Sequence, residues 1–129
     1  KAWEVNQQLY NLFPNNPACL YMRGRILEQL GKWKEAEETF RRLLNHLMAS
    51  EYRCIGYQIE CHYRLAFYLS KQKQFYQALR ECELALQLSK LYSSSKELEG
   101  HLESTKEILN DARKLHQQLL KNYISNKNQ

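Results

Sequence analysis

The chain has 129 residues, 43% of them hydrophobic, with 19 Lys and Arg against 14 Asp and Glu and a formal net charge of +5. That length supports one domain, and no apolar run approaches the roughly 18 residues a bilayer span needs, nor does Lys1 to Phe13 hold the continuous apolar core of a signal peptide. Two prolines, four glycines, many helix formers and no strand-period alternation predict a soluble, all-α chain without membrane contact.

From the amino terminus, Lys1 to Phe13 reads as a helix closed by Pro14. Asn16 followed by Pro17 starts a second helix, a side-chain cap ahead of the early position where proline costs nothing. That helix carries Leu20, Gly24 and Leu27, and Gly31 makes a tight turn into a third with Ala36, Phe40, Leu43 and Leu44. Ser50 before Glu51 reads as the cap of a fourth helix, in which Gly56 costs about 1 kcal/mol relative to alanine and marks a place for a kink. A fifth follows through Phe75, Ala78, Cys82, Ala85, Leu86 and Leu88. Ser94-Ser95-Lys96-Glu97 is a capping box, and from Lys96 to about Tyr123 one long helix has Glu97, Glu99 and Glu103 at its positive end and Arg113, Lys114 and Lys121 at its negative end. Its Leu98, Leu102, Thr105, Leu109, Ala112, His116, Leu119 and Tyr123 recur at spacings of four and three, a heptad stripe diluted by Thr105 and His116. The polar tail after it predicts disorder.

Leu20, Gly24, Leu27, Ala36 and Phe40 recur in order as His62, Ala66, Leu69, Ala78 and Cys82. Each set is a helix, a turn and a helix with a small residue where the two must touch, and it resembles the tetratricopeptide repeat. Arg23 departs from that pattern, which has leucine there, as do His62 and Cys82, which replace large apolar residues. Ala36 and Ala78 stand 42 apart, about eight more than the family period, and the surplus falls in Asn45 to Gln58, which predicts a first helix lengthened by about two turns. Counting one period back from Ala36 reaches Ala2, with Pro14 where the family's closing proline belongs. The resemblance implies an all-α, right-handed superhelix of antiparallel helix hairpins with a long C-terminal capping helix. Its divisions are 1–14, the second helix of a truncated upstream repeat; 15–48, a repeat; 49–91, a repeat with lengthened first helix; 92–125, the capping helix; and 126–129, a disordered tail. Opening in mid-repeat and without methionine, the chain reads as an excised fragment. Gly24-Arg25-Ile26 after Asn16-Pro17, a long spacer, then Tyr63-Arg64-Leu65-Ala66 also resembles the tetratricopeptide-like inclusion-body-clearance family, but that family's serine beside a tryptophan is absent, since the only tryptophans are Trp3 and Trp33.

Catalysis finds little support. Cys19, Cys54, Cys61 and Cys82 show no Cys-x-x-Cys spacing, and on a helix Cys54 and Cys61 stand about 10 Å apart, too far to share a metal. Cys82 reads as a small core residue, and four thiols without a disulfide pattern suit a reducing, cytoplasmic setting. Cys61 and His62 are adjacent and point about 100 degrees apart on a helix, so they do not form a nucleophile and base. Neither a phosphate-cradling glycine loop nor a paired acidic motif is present, so no catalytic residue, metal or cofactor is expected.

The expected activity is protein–protein interaction as a scaffold or adaptor. In the family the first helices line the concave face, and the positions flanking the small residue point into it. Carried onto this chain these are Tyr21, Arg25, Glu28 and Gln29 in one repeat and Tyr63, Phe67, Ser70 and Lys71 in the next. Family members that grip a C-terminal carboxylate hold lysine, asparagine and arginine there, a set this chain lacks, so a peptide or amphipathic helix with apolar or aromatic anchors is the expected partner. Burial of these aromatics under the C-terminal helix is the competing expectation. The basic residues are scattered, and Glu37 and Glu38 precede Arg41 and Arg42 by four, which argues against nucleic acid. Two alternatives stand beside the scaffold: a nucleic-acid-associated regulator with Arg23, Arg41, Arg42 and Arg53 as its basic side, and a homodimer through the heptad stripe.

Overall fold

A computed structural model describes residues 1–50, 54–91 and 102–127, and within the last stretch the side chains of 106–125. Six helices make up the described residues: α1 (Ala2–Leu12), α2 (Pro17–Gln29), α3 (Trp33–Ala49), α4 (Ile55–Lys71), α5 (Phe75–Leu91) and α6 (Leu102–Lys127). None of the helices searched is long and apolar enough to cross a membrane. The chain divides into two compact units, Lys1–Arg53 and Cys54–Gln129.

In the first unit α1 packs on α2 and α2 on α3. The Asn16 side chain accepts from the Cys19 amide at 3.1 Å with Pro17 in the first helical position, as the local sequence demands. α2 ends at Gly31, whose φ of 77 lets its own amide reach the Glu28 carbonyl and the Lys32 amide reach Leu27, closing the helix with two bonds. A Cβ at Gly24 would stand 2.6 Å from Phe40 Cζ, so the missing side chain is what admits the ring. Leu20, Leu27, Ala36, Phe40, Leu43 and Leu47 fill the rest of this core.

Arg23 has a structural cause for departing from leucine. Its guanidinium lies 4.3 Å from the Trp3 ring centroid and 4.2 Å from that of Tyr10, one ring at either end of a helical stretch of α1. Between the rings it donates to Gln7 Oε1 at 2.9 Å and Asn6 Oδ1 at 3.3 Å, while the Asn6 amide, fully buried, donates to the Cys19 carbonyl at 3.0 Å. The α1–α2 contact is therefore polar at its centre and closed by aromatic faces.

In the second unit α4 packs on α5, and α6 packs on α5 and also returns onto α4. One cluster joins Ala66, Leu69, Ala78, Leu79 and Cys82 to Ala112 and Leu119 of α6, and another joins Ile55, Ile59 and Ala85 to Ile108 and Leu109. Cys82 takes the place of an aromatic, and α6 comes near enough for its thiol to donate to the Ala112 carbonyl at 3.0 Å. His62 is buried with Nδ1 2.6 Å from Glu81 Oε2, a polar link from α4 to α5. From the stripe on α6, Leu109, Ala112 and Leu119 are buried inside the unit.

Four sequence expectations are corrected. Ser50 is the C-cap of α3 and not the start of α4, because Leu43, Leu44 and Leu47 carry the buried face of α3 on to Ala49. α4 begins instead at Ile55, after Cys54 in a left-handed conformation (φ 45), and its 17 residues against 13 in α2 make it longer by about one turn rather than two. Gly56 causes no break, lying buried in the first turn of α4, where few intrahelical bonds depend on it. At the other end, α6 runs through Lys127, so 126 and 127 are helical where the tail was expected to be disordered. The Ser94 to Glu97 capping box falls outside the described residues.

Two substitutions test the first unit, followed by tryptophan fluorescence because Trp3 and Trp33 both lie in it. Gly24→Ala should lower stability by about 1–2 kcal/mol in urea, although alanine is the better helix former by about 1 kcal/mol, because the ring must move. Arg23→Leu, which restores the usual residue, should cost about 1–3 kcal/mol by stranding buried Asn6, and adding Asn6→Leu should recover most of it.

Candidate functional site

On α2 the expected recognition residues form one connected set. Tyr21 is half-buried with its ring centroid 6.1 Å from that of Phe40, so the ring that fills the Gly24 gap also supports it. Arg25 donates to the Tyr21 hydroxyl at 3.1 Å and approaches Glu28 Oε2 to 3.4 Å through Nε. Gln29, one position on, is exposed. A tyrosine ring, a cation and a carboxylate are thus held along one side of the helix.

On α4 the corresponding residues divide. Tyr63 is half-buried and packs against both clusters of the second unit, to which α6 contributes Ile108, Leu109, Ala112 and Leu119. The Arg64 guanidinium lies 5.5 Å from its ring centroid. One turn later Phe67 has its ring 6.2 Å from that of Tyr68, and Lys71 Nζ stands 5.1 Å from the Phe67 centroid. Phe67 and Ser70 are half-buried, and Lys71 is exposed. Tyr63 thus belongs partly to the core, while Phe67 and Lys71 present an aromatic face with a cation over it.

A different concavity was not anticipated. Gln74, Phe75, Tyr76 and Gln77 at the start of α5 and Tyr123 near the end of α6 line an open hollow of about 440 Å³. The Tyr76 and Tyr123 rings are 6.0 Å apart at their centroids and inclined by 39°. Tyr76 is 57% exposed. One sequence signal could have pointed to it: Tyr76 is a large aromatic at a position outside the repeat's packing set.

Two of the remaining candidates, Cys61 and Cys82, are buried thiols. Burial, reinforced by Glu60 and Glu81, raises the Cys61 thiol far above its ordinary range, and burial followed by the Glu83 charge pushes Cys82 up to about 12. His62 faces Glu81 across the α4–α5 contact. Among the described residues no three or more His, Cys, Asp or Glu gather as a metal site.

The two thiols give a pH test. A group whose folded pKa lies above its unfolded value of 9.0 favours folding below that value and loses the contribution as pH rises through the folded one, about 12 for Cys82. The urea midpoint should fall between about pH 9 and 12, and less steeply in Cys82→Ala. At neutral pH, Cys61 and Cys82 should react with a thiol reagent only on unfolding, whereas half-buried Cys54 should react first.

No curated protein and no solved structure gives a significant match. Residues 17–48 match the family model described as tetratricopeptide repeat, a span that takes in α2 and nearly all of α3. Such repeats are generally non-catalytic modules of protein–protein interaction. That match, with Gly24 closed against Phe40 as the pattern requires, supports a tetratricopeptide repeat at residues 17–48.

Proposed function

We propose that the chain is a cytoplasmic scaffold or adaptor that binds another polypeptide through the accessible faces of its first helices. Tyr21, Arg25, Glu28 and Gln29 on α2 and Phe67, Ser70 and Lys71 on α4 make the contacts. Tyr63 supports the α4 face from beneath. The observation that carries this reading is the Phe67–Lys71 pair: a half-buried aromatic ring with an ammonium 5.1 Å from its centre is amphipathic surface suited to an apolar side chain flanked by polar groups. Arg25 adds a donor fork already steered by Glu28 and the Tyr21 hydroxyl, which lowers the ordering cost of recognition.

The alternatives draw less support. Of the four arginines of the basic side, Arg23 lies between Trp3 and Tyr10, Arg41 meets Glu37 at 3.4 Å, and Arg42 donates to the Tyr10 hydroxyl and to Asn15; Arg53 falls outside the described residues. A homodimer through the heptad stripe would have to draw on Leu109, Ala112 and Leu119, which are already spent inside the second unit.

A crosslinking capture from cytoplasmic lysate tests the proposal, with Phe67→Ala and Arg25→Ala as controls. Each should reduce capture of a shared partner roughly tenfold with helical content unchanged. Tyr63→Ala should instead lower the unfolding midpoint, since it removes a ring that packs on both clusters. If capture is indifferent to Phe67→Ala and Arg25→Ala together, the partner binds elsewhere.

A further inference from the structure

We propose a second recognition site, separate from the first-helix faces: the hollow between the start of α5 and the end of α6 binds an acidic peptide segment through one aromatic or aliphatic anchor. The anchor seats against Tyr76, Tyr123 and Phe75, and the amides of Gln74 and Gln77 serve its backbone.

Charge selects the occupant. From Ser70 to Arg80 and from Ala112 to Ser125 the sequence holds no Asp or Glu, while Lys73 adjoins the hollow in the turn and Arg80 stands one helical turn beyond Tyr76 and Gln77. Both cations are exposed. The next carboxylates on α5 are Glu81, one turn past Gln77 and 2.6 Å from His62, and Glu83, two turns past Tyr76 and 3.6 Å from His116. A cationic rim around an aromatic floor favours an anionic ligand and speeds its encounter.

The other repeat supplies an internal control. With Ala36 and Ala78 as equivalents, Gly31, Lys34, Glu35 and Glu38 correspond to Lys73, Tyr76, Gln77 and Arg80. At this edge one acid has become an amide, the other an arginine, and a lysine has become a tyrosine. Lys73 is the most telling exchange. It keeps the left-handed conformation of Gly31, with φ 61 against 77, and the same closing bonds, its amide to Ser70 and that of Gln74 to Leu69. A lysine there carries backbone strain that glycine would not, and it sets a cation in the turn next to Gln74 of the hollow.

A base held between the two rings would need a planar slot. Two rings sandwiching a base must stand about 7 Å apart and parallel. Tyr76 and Tyr123, at 6.0 Å and 39°, leave no such slot, but their cleft suits a branched or aromatic side chain.

The test is fluorescence anisotropy on the 129-residue chain with a short fluorescein-labelled peptide of Asp and Glu around one central Phe. Binding should weaken with added salt and drop roughly tenfold in Tyr76→Ala and in Arg80→Glu. Lys73→Gly should weaken it several-fold while leaving the unfolding midpoint equal or higher, a combination that loss of structure does not produce. Phe67→Ala should leave it unchanged, which separates this site from the first-helix face. Equal binding by the peptide with Lys for its acids, or with Ser for its Phe, would overturn the proposal, as would tighter binding of labelled oligouridylate or an equal loss in Phe67→Ala.

Discussion

The close approach of α2 and α3 at Gly24 is the constraint on which the first unit rests. Phe40 is wholly buried, and its ring occupies the volume a side chain at position 24 would need. Leu20 and Leu27 on one helix and Ala36 and Leu43 on the other can therefore bury together. Tyr21, one turn before Gly24, and Arg25, next to it, project from the helix beside that contact, and Tyr21 keeps its ring against Phe40. One packing event thus closes the hairpin and fixes the side chains beside it.

The second unit reaches the same end with the volume distributed otherwise. Ala66 adds a methyl where Gly24 has none, and Cys82 removes most of a ring where Phe40 stands. The space so released is taken by α6, whose Ala112 carbonyl accepts from the Cys82 thiol. A small residue at 82 and another at 112 are complementary choices: an aromatic at either would hold α6 away and expose Leu109 and Leu119. That approach also decides the fate of Tyr63, which lies one turn before Phe67 but packs on clusters that α6 completes.

Much of this was legible in the sequence where the signal is local. Asn16 before Pro17 caps, Gly31 turns, and the spacing of Gly24, Ala36 and Phe40 dictates a hairpin, all within a few turns of chain. Non-local events were not legible. Arg23 looked like a broken position because its partners, Trp3, Asn6, Gln7 and Tyr10, sit on another helix, and only the packed pair shows an arginine doing a leucine's work. Ser50 carried a capping signature that lost to the buried face of α3, and the length of α4 followed from where α3 stopped. The division of labour between Tyr63 and Phe67 likewise depended on α6, which no spacing within α4 encodes.

Two copies of one pattern in one chain separate packing from recognition. Positions 24 and 66, 36 and 78, and 40 and 82 hold residues whose sizes answer one another, because each is enclosed. Positions 34 and 76, 35 and 77, and 38 and 80 lie outside that enclosure and differ in charge and in kind. The turn lysine makes the contrast sharper, since residues 31 and 73 share a backbone conformation that suits glycine and only one of them is glycine. Packing does not choose between them, since a side chain at 31 would meet nothing within 4 Å, and the cost of a non-glycine residue there is one of backbone conformation alone.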